Sequence, residues 1–407
     1  MAKIPSFDLI VIGAGPAGLT AASAAGATGA KVLVLEHGET AAKKVLSTGN
    51  GRCNYTNRVQ GEACYRGSHP AFVLPALKQM NSQELSDYFR TCLKIHTSER
   101  DGYCYPRSHQ ASTVREALIA YAKECGVRIF TEVSIREIIR ENGFLVHTRN
   151  GSFQAPALVL ACGGMAAPKS GSDGSGYAYA EALGHTLIRP MPALVPMICW
   201  ERWLSMTSGV RAWGTVKLIV NGECAASDTG EIQFTDYGIS GIPVFQVSRF
   251  ASRAVEAKAN VTAEIDFLPE FSAEEAEALF AGIEDPIEGR SKKVTADLEA
   301  VLNGLVNQKI TKMLLHESNR LHVTPAALLK KTVLHVTGTQ GFDKAQVTCG
   351  GIDTEEVDPS TMESRLVPGL YFAGEILDVD GICGGYNLHW AFASGALAGR
   401  SAVSHRG

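Results

Sequence analysis

The chain has 407 residues, room for two or three domains at about 150 residues each, and its 45% apolar to 20% charged balance excludes a disordered or fibrous protein. With 38 Lys and Arg against 42 Asp and Glu, the formal charge of −4 argues against the broad basic surface of an extended nucleic-acid footprint. Ten cysteines, no two closer than eleven positions, exclude Cys-x-x-Cys metal and redox pairs and read as reduced thiols; with no basic, apolar leader at the start, a cytoplasmic protein without a metal is expected.

The departure from average is glycine, 41 residues, about one in ten against a usual ~7%, so the reading turns on where the backbone turns or approaches something closely. Asp8-Leu9-Ile10-Val11-Ile12 predicts a buried strand and Gly13-Ala14-Gly15-Pro16-Ala17-Gly18 a tight turn. The small residues to about Gly26 predict a helix, and Lys31-Val32-Leu33-Val34-Leu35 a second strand closed by Glu36. This is a βαβ unit with the dinucleotide fingerprint in place. Gly13 permits the turn, Gly15 lets backbone approach a pyrophosphate, and Gly18 lets helix lie on strand. The helix N-terminus around Ala14, Pro16 and Ala17 offers N–H groups to phosphate oxygens. Glu36, with His37 beside it, can accept both hydroxyls of an adenosine ribose and disfavours a 2′-phosphate, which leaves FAD or NAD. Leu9 to Ala30 carries no charge, but its five glycines, Pro16 and alanine-rich composition speak against a membrane span.

Further along, Asn81 with Glu84 predicts a capping-box helix start, with Leu85, Tyr88, Phe89, Cys92 and Leu93 on one face. Ser112 is expected to open another helix, and residues 126–133 read as a strand. A strand at 157–162 leads to Gly163-Gly164 and then to Gly171-Ser172-Asp173-Gly174-Ser175-Gly176. That cluster starts eight residues beyond Gly163 with no acid-terminated strand following, so a separate NAD(P) domain is disfavoured. Between about 190 and 345, short strands (195–199, 216–220, 261–267, 333–337) surround a helical part. There Ser272 with Glu275 caps one helix, and Leu298, Val301, Leu302, Leu305, Val306, Ile310, Met313 and Leu314 trace one long apolar stripe, expected to be core. Near the C-terminus, Gly369-Leu370-Tyr371-Phe372-Ala373-Gly374-Glu375 is a short buried strand running into a glycine and an acid. Asn387 is expected to N-cap a helix through Leu388-His389-Trp390-Ala391-Phe392-Ala393.

The 369–375 strand resembles the second flavin motif of glutathione-reductase-type FAD proteins, whose last strand returns beside the N-terminal βαβ unit with its acid near the ribityl chain. That favours FAD over NAD. Thr48-Gly49-Asn50-Gly51-Arg52-Cys53-Asn54-Tyr55-Thr56-Asn57 after Lys43-Lys44 is similar to a stretch of the bacterial BaiN/YhiN-type flavoproteins. Segments 345–351, 357–359, 361–364 and 378–388 match the same family in order, so the resemblance runs from residue 8 to about 400 and is weakest between 200 and 330.

The resemblance implies an α/β fold: a glutathione-reductase-type FAD-binding Rossmann-like domain (1–189 and 346–407) with an inserted, substrate-covering β domain (190–268 and 327–345) carrying a small helical subdomain (269–326). It implies non-covalent FAD held by Gly13, Ala14, Gly15, Pro16, Ala17, Gly18, Glu36, His37, Lys44, Thr48, Gly49, Asn50, Arg52, Cys53 and Asn54. The Val133 backbone would meet the adenine, Ala161, Cys162 and Gly163 the adenosine half, and Gly374, Glu375, Gly385, Asn387 and Leu388 complete the set. Small residues in 48–54 let the chain pass close to the isoalloxazine ring while Arg52 and Asn54 fix polar edges; Cys53 is expected as a small buried residue rather than a redox thiol. The helix at 387 would aim its positive end where negative charge develops on flavin reduction.

Four departures from the family pattern stand out: Ala166-Ala167 and Ser172-Asp173 where the family usually has an aromatic and a Thr-Gly-Asp, Asp236 for histidine, Tyr103 for arginine and His389 for glutamine. His389 and Tyr386 are the expected catalytic proton donors, with Tyr103 and Tyr105 competing. The family implies two-electron chemistry on a small molecule, with NAD(P)H as a transient hydride donor. Its members divide into enone reductases of steroid and bile-acid rings and aminoacetone or amine oxidases that return electrons to oxygen. An apolar pocket from Met191, Met197, Met206, Trp200, Trp203 and Trp213, with no acidic cluster asking for a cation, favours the reductase. The oxidase and a non-catalytic flavin redox sensor stay open. No nucleic-acid or membrane partner is expected.

Overall fold

A computed structural model describes residues 4–287 and 289–404, and the chain divides into two compact units, Met1–Pro190 with Val347–Gly407 and Met191–Gln346. In chain order the first unit contains β1 (Leu9–Ile12), α1 (Pro16–Gly26), β2 (Val32–Leu35), β3 (Thr56–Asn57), α2 (Ser82–Thr91), β4 (Thr97–Arg100) and β5 (Tyr103–Pro106). It continues with α3 (Ala111–Glu124), β6 (Arg128–Phe130), β7 (Ala157–Leu160), α4 (Ser175–Ala182), β8 (Val347–Ile352), β9 (Leu370–Phe372) and α5 (Tyr386–Ser401).

A parallel sheet in the order β9-β7-β1-β2-β6 forms the centre of this unit. Its four inner and edge runs LIVI, VLVL, ALVL and LYF are wholly buried, as strands covered on both faces must be. β9, from near the C-terminus, thus pairs beside a strand that itself pairs with the first, so the sheet is complete only when both ends of the sequence are in place. α1 lies close to the turn before it because Gly18 has no side chain: a Cβ there would sit 1.9 Å from the Gly13 carbonyl oxygen. α5 lies against α1 by the same device. A Cβ at Gly395 would meet the Ala17 carbonyl oxygen at 2.4 Å, and one at Gly399 the Ala21 carbonyl oxygen at 2.0 Å, so a Gly-x-x-x-Gly face lets the two backbones touch.

A smaller antiparallel sheet runs β3-β5-β4. In β5, Cys104 and Pro106 are buried while Tyr103 and Tyr105 alternate onto the half-exposed face. The capping box of α2 forms as its sequence requires: Asn81 accepts from Gln83 N and Glu84 N, and Glu84 accepts from Asn81 N. α3, however, begins at Ala111 after Gln110, one residue before the expected Ser112, and the 126–133 strand is confined to Arg128–Phe130.

In the second unit, strands Met197–Cys199, Gly238–Ser240, Glu223–Phe234, Arg211–Val220, Val261–Asp266 and Thr332–Thr339 close into a barrel. Its longest hairpin turns at Asn221 and Gly222, both in the left-handed region (φ 51° and 90°), the Asn-Gly pair that a two-residue hairpin favours. The helix Ile242–Glu256 packs on these strands through Val244, Val247 and Ala251. The expected single stripe from Leu298 to Leu314 is carried by two helices, Lys292–Asn303 and Gln308–Leu321, because Gly304 ends the first and the Asn307 side chain caps the second by accepting from Lys309 N. Trp203 and Met197 are barrel core rather than pocket lining, since Trp203 packs on Phe234 and Met197 is fully enclosed.

Candidate functional site

The glycine turn after β1 presents an open face. A Cβ at Gly15 would meet nothing within 4 Å, and Pro16 starts α1 without losing an intrahelical bond, so the first-turn N–H groups of α1 border free space. Glu36, at the end of β2 and nearly buried, accepts from Ala14 N at 2.8 Å and Gly38 N at 2.7 Å, which fixes its carboxylate under the turn. His37 Nδ1 lies 3.3 Å from Glu36, and its Nε2 lies 3.7 Å from Asp173 in the 171–176 turn. Val133 N–H, expected to meet adenine, donates instead to the Glu36 carbonyl at 2.9 Å, so only the carbonyl side of that residue remains for a base. Ala161 N–H donates to Ile12 O, and Cys162 Sγ also contacts Ile12 O; burial pushes the Cys162 thiol up to about 12.

Residues 48–54 form a tight coil with Gly49, Asn50, Gly51 and Cys53 all at positive φ. The coil is held from within, as Arg52 N–H donates to Gly49 O and Cys53 N–H to Thr48 O. Burial pushes the Cys53 thiol up to about 12, which makes it an inert filler, not a nucleophile. Just before the coil, Lys44 Nζ meets Glu375 at 2.8 Å. The other Glu375 oxygen accepts from Thr348 N at 2.9 Å, and Thr348 Oγ1 accepts from Met165 N and Ala166 N at 2.8 and 3.0 Å. One chain of polar contacts thus links four separate stretches of sequence. Thr348 was not singled out from the sequence, although its motif at 345–351 was. Asp378 is a second such hub, buried and accepting from Ser68 N, Ser68 Oγ and Gly350 N.

The start of α5 corrects three expectations. The N-cap is Gly385 at φ 96°, not Asn387, because the sharp entry needs a left-handed residue. Asn387 lies inside the first turn, where its amide bonds both Gly381 N (2.8 Å) and Gly381 O (2.9 Å) and so fixes the 381–385 turn; Leu388 follows it in the same turn. His389, an expected proton donor, is fully buried: Nδ1 is 2.6 Å from Thr56 Oγ1 and Nε2 is 2.7 Å from Met80 O. Burial holds its pKa down at about 4, so near neutral pH it is an uncharged tie from α5 to β3 and to the Met80 carbonyl. Tyr386 is buried against Tyr65, and burial with its Cys64 contact holds its hydroxyl well above the ordinary range. Tyr103 is different. Half-exposed on β5, its ring packs 3.0 Å from where a Gly384 Cβ would be, beside the Tyr386 ring at 3.2 Å.

Asn54 Oδ1 is buried with no hydrogen-bond partner among the described residues, and a Cβ at Gly385 would sit 2.7 Å from it. An orphaned acceptor beside a glycine helix start, together with the open face at Gly15, fits a long cofactor with a diphosphate part-way along it and a polar ring edge at one end. The residues that would hold FAD are the α1 turn and Glu36 at the adenosine end. Lys44, Glu375 and Gly374 stand in the middle, and Thr48–Asn54 with the α5 N-terminus at the ring.

The HI0933-like protein Rossmann domain matches residues 7–401 of the chain. A 3-dehydro-bile acid delta(4,6)-reductase of Clostridium scindens is 41% identical, covering 97% of this chain and 98% of its own. A ribosomal RNA dihydrouridine synthase of Haemophilus influenzae is 30% identical, covering 95% and 96%. Among solved structures, a 3-ketosteroid delta1-dehydrogenase from Sterolibacterium denitrificans shares the fold with a TM-score of 0.50 at 12% identity, covering 98% of this chain and all of that one. Among the described residues no helix is long and apolar enough to cross a membrane.

Proposed function

The chain belongs to the HI0933-like family and is an FAD-dependent oxidoreductase, and from that premise we propose that it uses NAD(P)H to reduce a carbon–carbon double bond conjugated to a carbonyl in a steroid- or bile-acid-like molecule. The observation that carries this reading is 41% identity over 97% of the chain to a protein named as a reductase of such a bond. The other relative's name fits the same chemistry, since dihydrouridine is uridine with its conjugated double bond saturated. The near-balance of charge, 38 against 42, favours the small apolar substrate over a polyanion. Trp200, Trp213 and Met206, exposed on the second unit, supply apolar surface of the kind a ring system needs. Ten cysteines scattered along the chain, none joined in a disulfide, fit a reducing, cytoplasmic setting.

When bound, FAD supplies reversible two-electron hydride chemistry. Saturating the bond places a hydride on the β-carbon and needs a proton on the α-carbon. With His389 and Tyr386 enclosed, the half-exposed Tyr103 hydroxyl gives that proton and takes another from water. The N-terminus of α5, entered at Gly385 with no side chain capping it, would offer the positive helix end to negative charge developing on the ring. Buried Asn54 offers an acceptor to a ring N–H. The test is anaerobic incubation of the FAD-loaded protein with NADH or NADPH and a 3-oxo-Δ4 steroid, followed by mass spectrometry. The expected product gains two hydrogens. Flavin bleaching by aminoacetone but by neither nicotinamide would overturn the reductase in favour of the oxidase.

A further inference from the structure

Away from the cradle, the first unit carries a cavity of about 540 Å³ lined by Lys94, His96, Thr97, Arg107, Ser108 and Thr113. The fold gathers these groups deliberately. Arg107 N–H donates to His96 O at 2.7 Å, and Thr97 pairs with Pro106 in the β4–β5 register, so two basic residues from either side of a hairpin face one opening. Lys94 stands just before, in the left-handed region at φ 58°, with one ammonium N–H on Thr91 O at 2.6 Å. Ser108 Oγ donates to Thr113 Oγ1 at 3.2 Å across the start of α3, a helix of 14 residues with no acid in its first turn. Among the described residues no carboxylate lines the cavity. Arg107 and His96 are both exposed, so their side chains are open to a ligand arriving from solvent.

A lysine, an arginine, a histidine ring and the Ser108 and Thr113 hydroxyls beside the start of a helix around one opening match an oxyanion with several acceptor oxygens. We propose that this cavity binds the phosphate group of a small phosphorylated ligand. Arg107 takes two oxygens through its fork, Lys94 adds a point charge, and Thr113, whose oxygen accepts from Ser108, donates its own hydroxyl hydrogen. Two cations at a single opening make a point site, whereas a nucleic-acid backbone needs a stripe of them. The phosphate can come from the nicotinamide donor or from a phosphorylated substrate. The proposal does not rest on the reductase reading, because phosphate binding is measured without turnover.

Calorimetric titration of the FAD-loaded protein with inorganic phosphate, with 2′,5′-ADP and with a short RNA separates the sources. Inorganic phosphate is expected to bind, and Arg107→Gln with Lys94→Gln to weaken it at least about tenfold while the visible flavin spectrum and Tm stay put. Arg107→Lys, which keeps the charge and loses the fork, is expected to lie between. Tighter binding of 2′,5′-ADP than of phosphate, lost in the double variant, supports the site and assigns it to the nicotinamide donor; equal binding of the two supports it and assigns it to a phosphorylated substrate. Unchanged phosphate affinity in the double variant overturns the site. RNA binding tighter than either small anion, lost in the same variant, overturns the small-ligand assignment.

Discussion

Lys44 and Glu375, 331 positions apart, meet at 2.8 Å, and through Glu375 the contact extends to Thr348. The pair ties the segment before the 48–54 coil to the end of the last strand, so it forms only when both ends of the chain are assembled. Both side chains are about one-fifth exposed, enough burial to make an unpaired carboxylate costly.

Lys44→Met therefore leaves Glu375 without its counter-charge in the middle of the cradle. FAD retention, followed by recovery of free-flavin fluorescence on titration, is expected to weaken about tenfold. The Lys44→Met/Glu375→Gln double variant is expected to be no worse than Lys44→Met alone. Additive losses would show that the two residues act separately.

Two glycines should respond in opposite ways. At Gly399 an added methyl would press on the Ala21 carbonyl oxygen, so Gly399→Ala separates α1 from α5 and destabilises the protein by about 1–3 kcal/mol. Gly15 has a negative φ of −74° and open space around its Cβ position, so Gly15→Ala should unfold at the same temperature as the FAD-free parent yet hold FAD poorly. Thermal unfolding of FAD-free samples, with and without added FAD, separates the two. A fall in Tm for Gly15→Ala without FAD would contradict the open-face reading.

His389 gives a pH dependence whose sign is fixed by its burial. Its pKa is lowered from 6.5 to about 4, so between those values the unfolded chain holds a proton that the folded one rejects. Its contribution to stability is complete above about pH 6.5 and declines toward pH 4 at about 1.4 kcal/mol per pH unit. Denaturant unfolding across that window should be less steeply pH-dependent in His389→Gln than in the parent. The pH profile of turnover between 5 and 8 should keep its shape in that variant; a lost inflection would return His389 to the chemistry.

Tyr103→Phe removes one oxygen from a half-exposed ring and leaves its packing on Gly384. Flavin reduction by NAD(P)H should proceed at the parent rate, while reoxidation by the enone slows by about 10²–10⁴-fold, the range for a positioned proton donor. Rapid mixing of each half-reaction reads this directly. Equal slowing of both halves would mean that the ring only shapes the cradle.

The parts of the site legible in the sequence are local ones. The Gly13–Gly18 turn, Glu36 closing β2, the capping box at Asn81 and Glu84, and the short strand before Glu375 each express their physics within a few residues. What sequence reading missed depends on distant partners. Nothing near His389 says that Thr56 and Met80 will occupy both ring nitrogens. Asn387 is a good N-cap by type, but Gly385 takes the position because the turn from Gly381 enters at a positive φ. The glycines at 395 and 399 were not singled out from the sequence; only the packing of α5 on α1 gives their spacing meaning.

The central claim is that reduced flavin in this protein passes its electrons to a conjugated double bond. Its most direct test mixes the anaerobically reduced holoenzyme with a 3-oxo-Δ4 steroid, with uridine-containing RNA and with oxygen in separate stopped-flow shots, and follows the return of flavin colour. The account predicts that the steroid restores colour fastest, with the saturated ketone as product. Fast recovery with oxygen and none with either double bond would contradict it.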